Sequence, residues 1–258
     1  MGSKKKILAV GAHPDDVELM IAGTLVELFK KGHEVAIATV ATGDKGSAEL
    51  SNREISKKRY QEAVNAASVL DGKYYCLGES DCEIVFDNPT RAKMVELIRR
   101  VSPDIIITNS PQDYVPDHQI TSDLAWDGAF GACIVNYITQ QPDPAEPLDR
   151  APYLYYADPL EGKDRFGHRV TPEFYIDITT SVDTKVEMLS KHESQREWLK
   201  MKHGMDEYVN SMKAWGQERG RECGVEYAEG YRQHKGSAFF ADNVLEELLP
   251  VIYSGTGE

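Results

Sequence analysis

The sequence predicts an α/β fold with a parallel central sheet. Short apolar runs alternate with longer amphipathic runs, a pattern typical of strands that alternate with helices. Strands joined through helices pair in parallel, because each helix carries the chain back to the same end of the sheet. The chain shows no internal repeat with a period of about 20 to 50 residues, which disfavours a solenoid or a propeller.

The first two strands and helices follow this pattern. The run "KILAVGA" predicts a strand, and apolar residues at helical spacing then predict a helix that ends at Lys30-Lys31-Gly32. This helical stripe consists of Val17, Met20, Ile21, Thr24, Leu25 and Leu28. The run "EVAIATVAT" predicts a second buried strand. Residues 52–70 predict a second helix that stops at Asp71-Gly72.

The remaining elements repeat the pattern less clearly. Strands are predicted at "KYYCLG", "DIIITNS", "YLYYAD" and "EFYIDIT", and helices over residues 89–101, after Pro116 and over residues 181–202. A proline-rich loop spans about residues 137–152 and is either a linker or part of a site rim. We expect residues 140–172 to shape the mouth of the site. Because the last third contains no second strand-rich unit, we expect residues 1–258 to form one domain.

Composition excludes several classes of function. The chain has 258 residues, with 42 acidic against 29 basic side chains and a net charge of -13. Such a surface repels phosphate backbones and anionic lipids, so we expect neither a nucleic-acid nor a membrane partner. The four cysteines form no CxxC pair, and no apolar run reaches the length of about 18 residues that marks a membrane span. These features predict a cytoplasmic protein; assembly into a homo-oligomer stays open.

The turn after the first strand contains the residues of a candidate zinc site. In "AHPDDVEL", His13 and Asp16 are three residues apart at a predicted helix start, so both side chains can face one point. Asp15 is rotated away from them and can remain without a metal contact. Imidazole nitrogen and carboxylate oxygen are ligands that zinc accepts, and a free carboxylate can take a proton from water. An aspartate at this place is also a common helix N-cap, so a purely structural interpretation stays open.

A second polar cluster follows the strand "DIIITNS". Its residues are Asp113, Tyr114, Asp117 and His118, at the equivalent end of the predicted sheet. The carboxyl ends of parallel strands collect ligands at one edge. His118 could therefore complete a His-Asp-His site whose fourth position is left to water, as catalytic zinc requires.

These motifs resemble the PIG-L/LmbE-like family of zinc-dependent N-acetylglucosamine de-N-acetylases. "AHPDDVEL" and the downstream "PDH" carry the resemblance, and "REISKKRYQEAVNAASVLDG", "FYIDIT", "HESQ" and "GVEYAEGY" extend it over nearly the whole chain. The resemblance implies a Rossmann-like three-layer fold with a mostly parallel central sheet. It also implies a small amino-sugar substrate and Zn²⁺ as the cofactor, with another divalent transition metal as the alternative.

The resemblance also implies roles for individual residues. His13, Asp16 and His118 would hold the zinc, and Asp15 would act as the general base. Arg59 would bind sugar hydroxyls. Arginines on helices are usually solvated surface residues, and Arg53 competes for the same role. Asp117 is assigned to the substrate side of the site, where it would orient His118 or neighbouring groups; its alternative role is to cap a helix.

One position departs from the family pattern. The family commonly has His-Pro-Asp-His, whose first histidine assists the oxyanion, whereas this chain has Val115 there. Valine donates no hydrogen bond, so another group must assist. Tyr114 is the first candidate, because its phenol is a proton donor. His168 comes next, and His192 and His234 follow.

Several further residues allow both a functional and a structural interpretation. Glu193 and Gln195 match a family motif or lie on a charged helix surface. Tyr227 and Tyr231 stack on a sugar or pack in a core, and the segment "YAEGYRQHK" that contains them could close over the pocket. Glu18 contacts the surroundings of the metal or stabilises a helix N-terminus.

The leading functional hypothesis is a zinc-dependent hydrolase that removes an N-acetyl group from an amino sugar or its conjugate. The first alternative is an amidase for a non-sugar N-acyl substrate. The second, motivated by Val115, is a zinc-containing binding protein with weak hydrolysis; an unligated Asp15 argues against it. A nucleotide-binding module is disfavoured, because no glycine-rich phosphate loop follows any predicted strand.

Overall fold

The computed structural model describes residues 3–197 and 207–255. Within these residues eight strands form one sheet in the order β3-β2-β1-β4-β5-β7-β6-β8. The strands are β1 (Lys6–Gly11), β2 (Glu34–Ala41), β3 (Lys73–Glu79), β4 (Ile105–Thr108), β5 (Tyr153–Ala157), β6 (Phe174–Asp177), β7 (Ala228–Gln233) and β8 (Val251–Tyr253). Strands β1 to β5 pair in parallel, and β7, β6 and β8 extend the sheet in antiparallel fashion. The predicted α/β class with a mostly parallel sheet is confirmed.

Helices cover both faces of the sheet. They are α1 (Asp16–Met20), α2 (Ala22–Lys30), α3 (Asn52–Ser68), α4 (Asn88–Val101), α5 (Pro116–Gly131), α6 (Val182–Ser190), α7 (Glu207–Cys223) and α8 (Val244–Leu248). Successive side chains of β1 pack on opposite faces of the sheet. Ile7 packs with α1, α2, α3 and α6 on one face, and Leu8 packs with α4 and α5 on the other. Burying each such side chain stabilises the fold by about 1.5–3 kcal/mol. The result is the expected three-layer arrangement.

The predicted helix after β1 is interrupted at Ile21. Ile21 leaves helical geometry with φ -127°, and α2 starts at the next residue. The carboxylate of Glu229, on β7, accepts hydrogen bonds from the backbone N–H groups of Gly23 and Thr24. These donors lie in the first turn of a helix and have no partner within it, so Glu229 supports a separate helix start. A Cβ on Gly23 would lie 2.7 Å from Ile178 and 2.8 Å from Glu229, so this approach requires glycine.

The C-terminal region contains the largest corrections. The helix predicted over residues 181–202 ends at Ser190, and residues 193–197 begin another helical segment after a break; residues 198–202 lie outside the described residues. Strands β7 and β8 and helices α7 and α8 were not predicted. The segment that was expected to close over the pocket forms β7 inside the sheet, because its backbone pairs with both β5 and β6.

The proline-rich loop is irregular, as predicted, and is attached to α4. Glu96 accepts hydrogen bonds from the Thr139 hydroxyl at 2.7 Å and the Ala145 backbone N–H at 3.0 Å. None of the helices in the described part combines the length and apolar character needed to cross a bilayer.

Candidate metal centre and active site

Three side chains converge at the carboxyl ends of β1 and β4, which are paired neighbours in the sheet. His13 and Asp16 follow β1, and His118 lies in the first turn of α5, after β4. One ligand atom from each lies within 4.8 Å of the other two. His13 Nδ1 is 3.6 Å, and His118 Nε2 3.3 Å, from Asp16 Oδ2. The predicted convergence of these three residues is observed.

The outer nitrogen of each histidine contacts a second carboxylate. His13 Nε2 lies 2.9 Å from Asp117 Oδ2, and His118 Nδ1 lies 2.9 Å from Asp113 Oδ2. A carboxylate beside one ring nitrogen fixes the proton there and leaves the other nitrogen free to bind a cation. The arrangement therefore fits a divalent metal held by two nitrogens and one oxygen.

Of the partners that the sequence allowed for Asp117, the structure places it on a neighbouring histidine, His13, and not on His118. Asp117 contacts His13, and it also accepts a hydrogen bond from the Cys82 backbone N–H at 2.7 Å. It is buried and does not line the cavity described below. Asp113, to which the sequence assigned no specific role, is the carboxylate that orients His118. These contacts favour an orienting role for Asp117 over contact with substrate.

Asp16 is held as an anion. Its Oδ2 accepts hydrogen bonds from the backbone N–H groups of Ala12 and His13, each at 2.9 Å. Burial opposes this charge, but His118 and His13 hold the pKa of Asp16 well below its usual value. Burial likewise opposes the charged form of His118, and Asp16 and Asp113 raise its pKa to about 9.

Asp15 stands beside this cluster with its own set of partners. Its φ of 108° places the backbone in the left-handed region, where aspartate is more tolerated than most residues. Its Oδ2 accepts a hydrogen bond from the Tyr208 hydroxyl at 2.5 Å and lies 3.4 Å from Arg59 Nη2. Burial raises the pKa of Asp15 despite the opposing effect of Arg59. Asp15 is thus a buried carboxylate adjacent to the candidate metal ligands.

Arg59 is buried, and the expectation of a solvated surface arginine is wrong. Its Nη2 donates to the Pro14 carbonyl at 2.5 Å and faces Asp15. Gly43 and Gly46 make room for it, since a Cβ at either position would lie within 2.7 Å of the Arg59 side chain. Arg53, the competing candidate, is exposed and does not line the cavity.

The cluster opens into a cavity of about 600 Å³. Its walls come from the turn after β1, α3, the start of α5, the loop after β5, residues 193–197 and α7. The described lining residues are His13, Asp15, Asp16, Leu19, Arg59, Tyr114, Val115, His118, Leu160, Glu161, Gln195, Tyr208, Ser211 and Trp215. Of the region expected to form the mouth, residues 160 and 161 contribute and the proline-rich loop does not.

The structure shows which of the candidates for oxyanion assistance line the cavity. Tyr114 lines the cavity and is 47% exposed, next to Val115, which also lines it. His168 is exposed and lies 3.5 Å from Asp164, and it is not among the lining residues. His234 contacts the Tyr156 hydroxyl away from the cavity. The geometry therefore favours Tyr114 over both of these histidines.

His192 and Glu18 form a buried ion pair behind the cavity. His192 Nε2 lies 3.4 Å from Glu18 Oε2, and both residues are almost completely buried. Within the described residues neither ring nitrogen has a hydrogen bond. Burial lowers and Glu18 raises the pKa of His192, with a net increase.

The remaining candidates are divided between cavity, surface and core. Gln195 lines the cavity, whereas Glu193 is exposed. Tyr231 is fully buried; its hydroxyl donates to Glu229 and lies 2.7 Å from the Thr24 hydroxyl, so it packs in the core and cannot stack on a sugar. Tyr227 is half-buried and does not line the cavity.

Sequence reasoning missed the wall that α7 supplies. Tyr208, Ser211 and Trp215 all line the cavity, and Met212 packs beneath them. Their spacing of three or four residues places them along one face of a helix. That periodicity was a detectable signal, although it does not show which surface the helix faces.

Comparisons with known proteins find similarity to deacetylases and to a hydratase. Residues 8–129 match the family model described as PIG-L, GlcNAc-PI de-N-acetylase. Diacetylchitobiose deacetylase from Thermococcus kodakarensis is 25% identical over 198 residues, which cover 74% of this chain and 70% of the relative. The 4-oxalmesaconate hydratase from Pseudomonas putida is 24% identical over 190 residues, covering 70% of each chain.

A solved structure shares the fold. The N,N'-diacetylchitobiose deacetylase from Pyrococcus horikoshii superposes with a TM-score of 0.75 at 23% identity, covering 89% of this chain and 84% of that one. At this identity the likeness concerns the fold.

Proposed function

Because this chain carries a PIG-L family domain over residues 8–129, we propose that it is a metal-dependent N-deacetylase acting on an N-acetylglucosamine-type amino sugar or conjugate. The observation that carries the proposal is the position of Asp15. This buried carboxylate lies next to the candidate metal centre of His13, Asp16 and His118 but is not one of its ligands. It contacts Arg59 and Tyr208. Such a group suits a general base for attack of water on an amide.

We propose zinc as the cation, held by His13, Asp16 and His118. Two imidazole nitrogens and a carboxylate oxygen form a donor set that zinc accepts, and other divalent transition metals accept it too. Asp113 and Asp117 would keep the two rings oriented. A divalent cation at this position would lower the pKa of water toward neutrality and polarise the amide carbonyl.

In the proposed reaction the side chain of Asp15 transfers the proton from water to the leaving amine. Asp15 accepts a proton as water oxygen bonds to the carbonyl carbon, and it returns that proton to the amine as the carbon–nitrogen bond breaks, which gives acetate and a free amino sugar. Arg59, 3.4 Å away, balances the charge of Asp15. Its assignment to sugar hydroxyls remains part of the proposal, because Arg59 also lines the cavity.

Tyr114 is the proposed donor to the carbonyl oxygen as negative charge develops there. Burial raises its pKa, so the phenol keeps its proton near neutral pH. One well-placed donor of this kind contributes about 3 kcal/mol in other acyl-transfer sites. Val115 beside it is apolar and cannot replace it.

The charge of the cavity favours a neutral substrate. Among the described lining residues the carboxylates of Asp15, Asp16 and Glu161 are matched by the guanidinium of Arg59 and by the proposed divalent cation. The cavity then holds no surplus of positive charge for a substrate with several carboxylates, whereas a neutral N-acetyl sugar needs none.

The half-buried indole of Trp215 offers an apolar face to a sugar ring. A non-sugar N-acyl substrate is the alternative, because the catalytic groups contact the amide and not the ring.

We also propose that residues 1–258 form one domain, since all eight described strands belong to one sheet. A cytoplasmic location stays part of the proposal.

Acetate release tests the function. The purified protein is stripped with a chelator, reloaded with Zn²⁺ and incubated with N-acetylglucosamine, diacetylchitobiose, non-sugar N-acyl compounds and 4-oxalmesaconate. We expect acetate from the amino sugars only after reloading, and a loss of about 10²–10⁴-fold in Asp15→Asn with its metal content unchanged. Activity confined to the non-sugar compounds or to hydration would overturn the substrate class or the reaction.

A further inference from the structure

Tyr208 reaches the candidate base from the far end of the chain. It lies near the start of α7, outside the segment that matches the family model, and is 6% exposed. Its hydroxyl is 2.5 Å from Asp15 Oδ2. Burial and the neighbouring Asp15 raise the pKa of this phenol, so it remains a hydrogen-bond donor over the physiological range.

A carboxylate needs such a contact to be fixed. The terminal torsion of an aspartate side chain is broad, so its two oxygens exchange positions unless partners hold them. Tyr208 and Arg59 both engage Oδ2 of Asp15, and Oδ1 is then the oxygen left for the reacting water. A small misplacement of a reacting group lowers rates strongly.

The position of the Tyr208 ring is itself fixed by packing. Tyr208, Met212 and Leu189 form a small apolar cluster that Leu19, on α1, joins. The ring is thus held between α1, α6 and α7, and α1 also contains Asp16. A side chain fixed by packing is a good support for a functional group.

We infer that Tyr208 is a positioning residue, which holds the Asp15 carboxylate through Oδ2 so that Oδ1 faces the reacting water. This inference rests on the proposed function, in which Asp15 is the base. It assigns to α7 a contribution to turnover in addition to its contribution to the cavity wall.

Tyr208→Phe removes the hydroxyl and keeps the ring. We expect kcat to fall by about 10- to 100-fold, with KM within about twofold of the wild type and the zinc content unchanged. Tyr231→Phe is the matched control, because Tyr231 is also buried and its hydroxyl donates to Glu229 in the core. The control should unfold at lower urea concentration and keep its kcat. Equal kcat in Tyr208→Phe and wild type, or an equal loss in both variants, would overturn the inference.

A second measurement does not depend on activity. Tyr208→Phe is combined with Asp15→Gly, since glycine accepts the left-handed backbone of residue 15 and removes the carboxylate. Tyr208→Phe should lower the urea midpoint in the wild-type background and much less in the Asp15→Gly background, whereas Tyr231→Phe should lower it equally in both. Additive shifts for Tyr208 and Asp15 would contradict the contact. If the wild type releases no acetate from any substrate, the proposed function fails while this cycle still tests the contact.

Discussion

His118 Nδ1 lies 2.9 Å from an oxygen of Asp113, and neither side chain is accessible to solvent by more than 2%. Asp113 also accepts a hydrogen bond from the Val115 backbone N–H at 2.9 Å. The carboxylate therefore connects the loop after β4 with the first turn of α5 and directs His118 Nε2 toward Asp16. The orientation of a candidate ligand depends here on a residue that itself contacts no cation.

Asp113→Asn should weaken metal binding by about 10- to 100-fold. The amide keeps the shape of the side chain but loses the negative charge that makes His118 a better donor. Zn²⁺ affinity is measured by competition with a chromophoric chelator. Asp123→Asn, an exposed change on α5, the helix that carries His118, is the control and should bind like the wild type. Equal affinities for Asp113→Asn and Asp123→Asn would refute the orienting role.

Arg59→Met should destabilise the fold by about 3 kcal/mol, because it leaves the Asp15 carboxylate buried without its cation. The Pro14 carbonyl also loses its donor. Arg53→Met removes an exposed arginine from the same helix and should change the free energy of unfolding by less than about 0.5 kcal/mol. Urea denaturation of both variants checks this difference, and similar midpoints would show that Arg59 is not a buried partner of Asp15.

Tyr114→Phe should lower turnover by up to about 100-fold with the metal content unchanged, because the phenol is the proposed donor to the developing oxyanion. Tyr227→Phe removes a hydroxyl that contacts Gln217 outside the cavity and is the control. Steady-state acetate release compares the two. Equal rates for Tyr114→Phe and the wild type would remove Tyr114 from the mechanism.

His192→Gln should flatten the pH dependence of stability. Glu18 raises the pKa of His192 in the folded protein above the unfolded value of about 6.5. The ion pair then contributes its full stabilisation below about pH 6.5 and loses it as the pH rises through the raised pKa. Thermal unfolding of zinc-loaded protein from pH 6 upward, in unit steps, should show wild type and variant converging. Parallel curves would contradict this.

The sequence predicted the parts of the site that depend on neighbouring strands. His13, Asp16 and His118 follow β1 and β4, and such strand ends meet whenever the strands are adjacent and parallel. The break at Ile21 could not be predicted locally, because the capping group is Glu229, more than 200 residues away. The burial of Arg59 depends in the same way on Gly43 and Gly46, which come from another loop.

Tyr208 and Tyr231 show why aromatic residues were hard to assign. Both have buried hydroxyls, but one contacts Asp15 and the other contacts Glu229. A pattern of tyrosines indicates a buried face and does not say whether a core or a cavity lies opposite. Only the packing of α7 and the pairing of β7 distinguish the two.

Within the described part of the chain Glu229 receives five hydrogen bonds, from Gly23, Thr24, Lys185 and Tyr231, with Thr24 donating through both its backbone N–H and its hydroxyl. The start of α2, near the beginning of the chain, is thereby completed by one of its last strands. A ribosome-bound nascent chain that ends before residue 229 lacks this carboxylate, so the first turn of α2 gains its capping partner only late in synthesis. The segment 8–129 thus contains a helix start whose hydrogen-bond partner lies outside that segment, on β7.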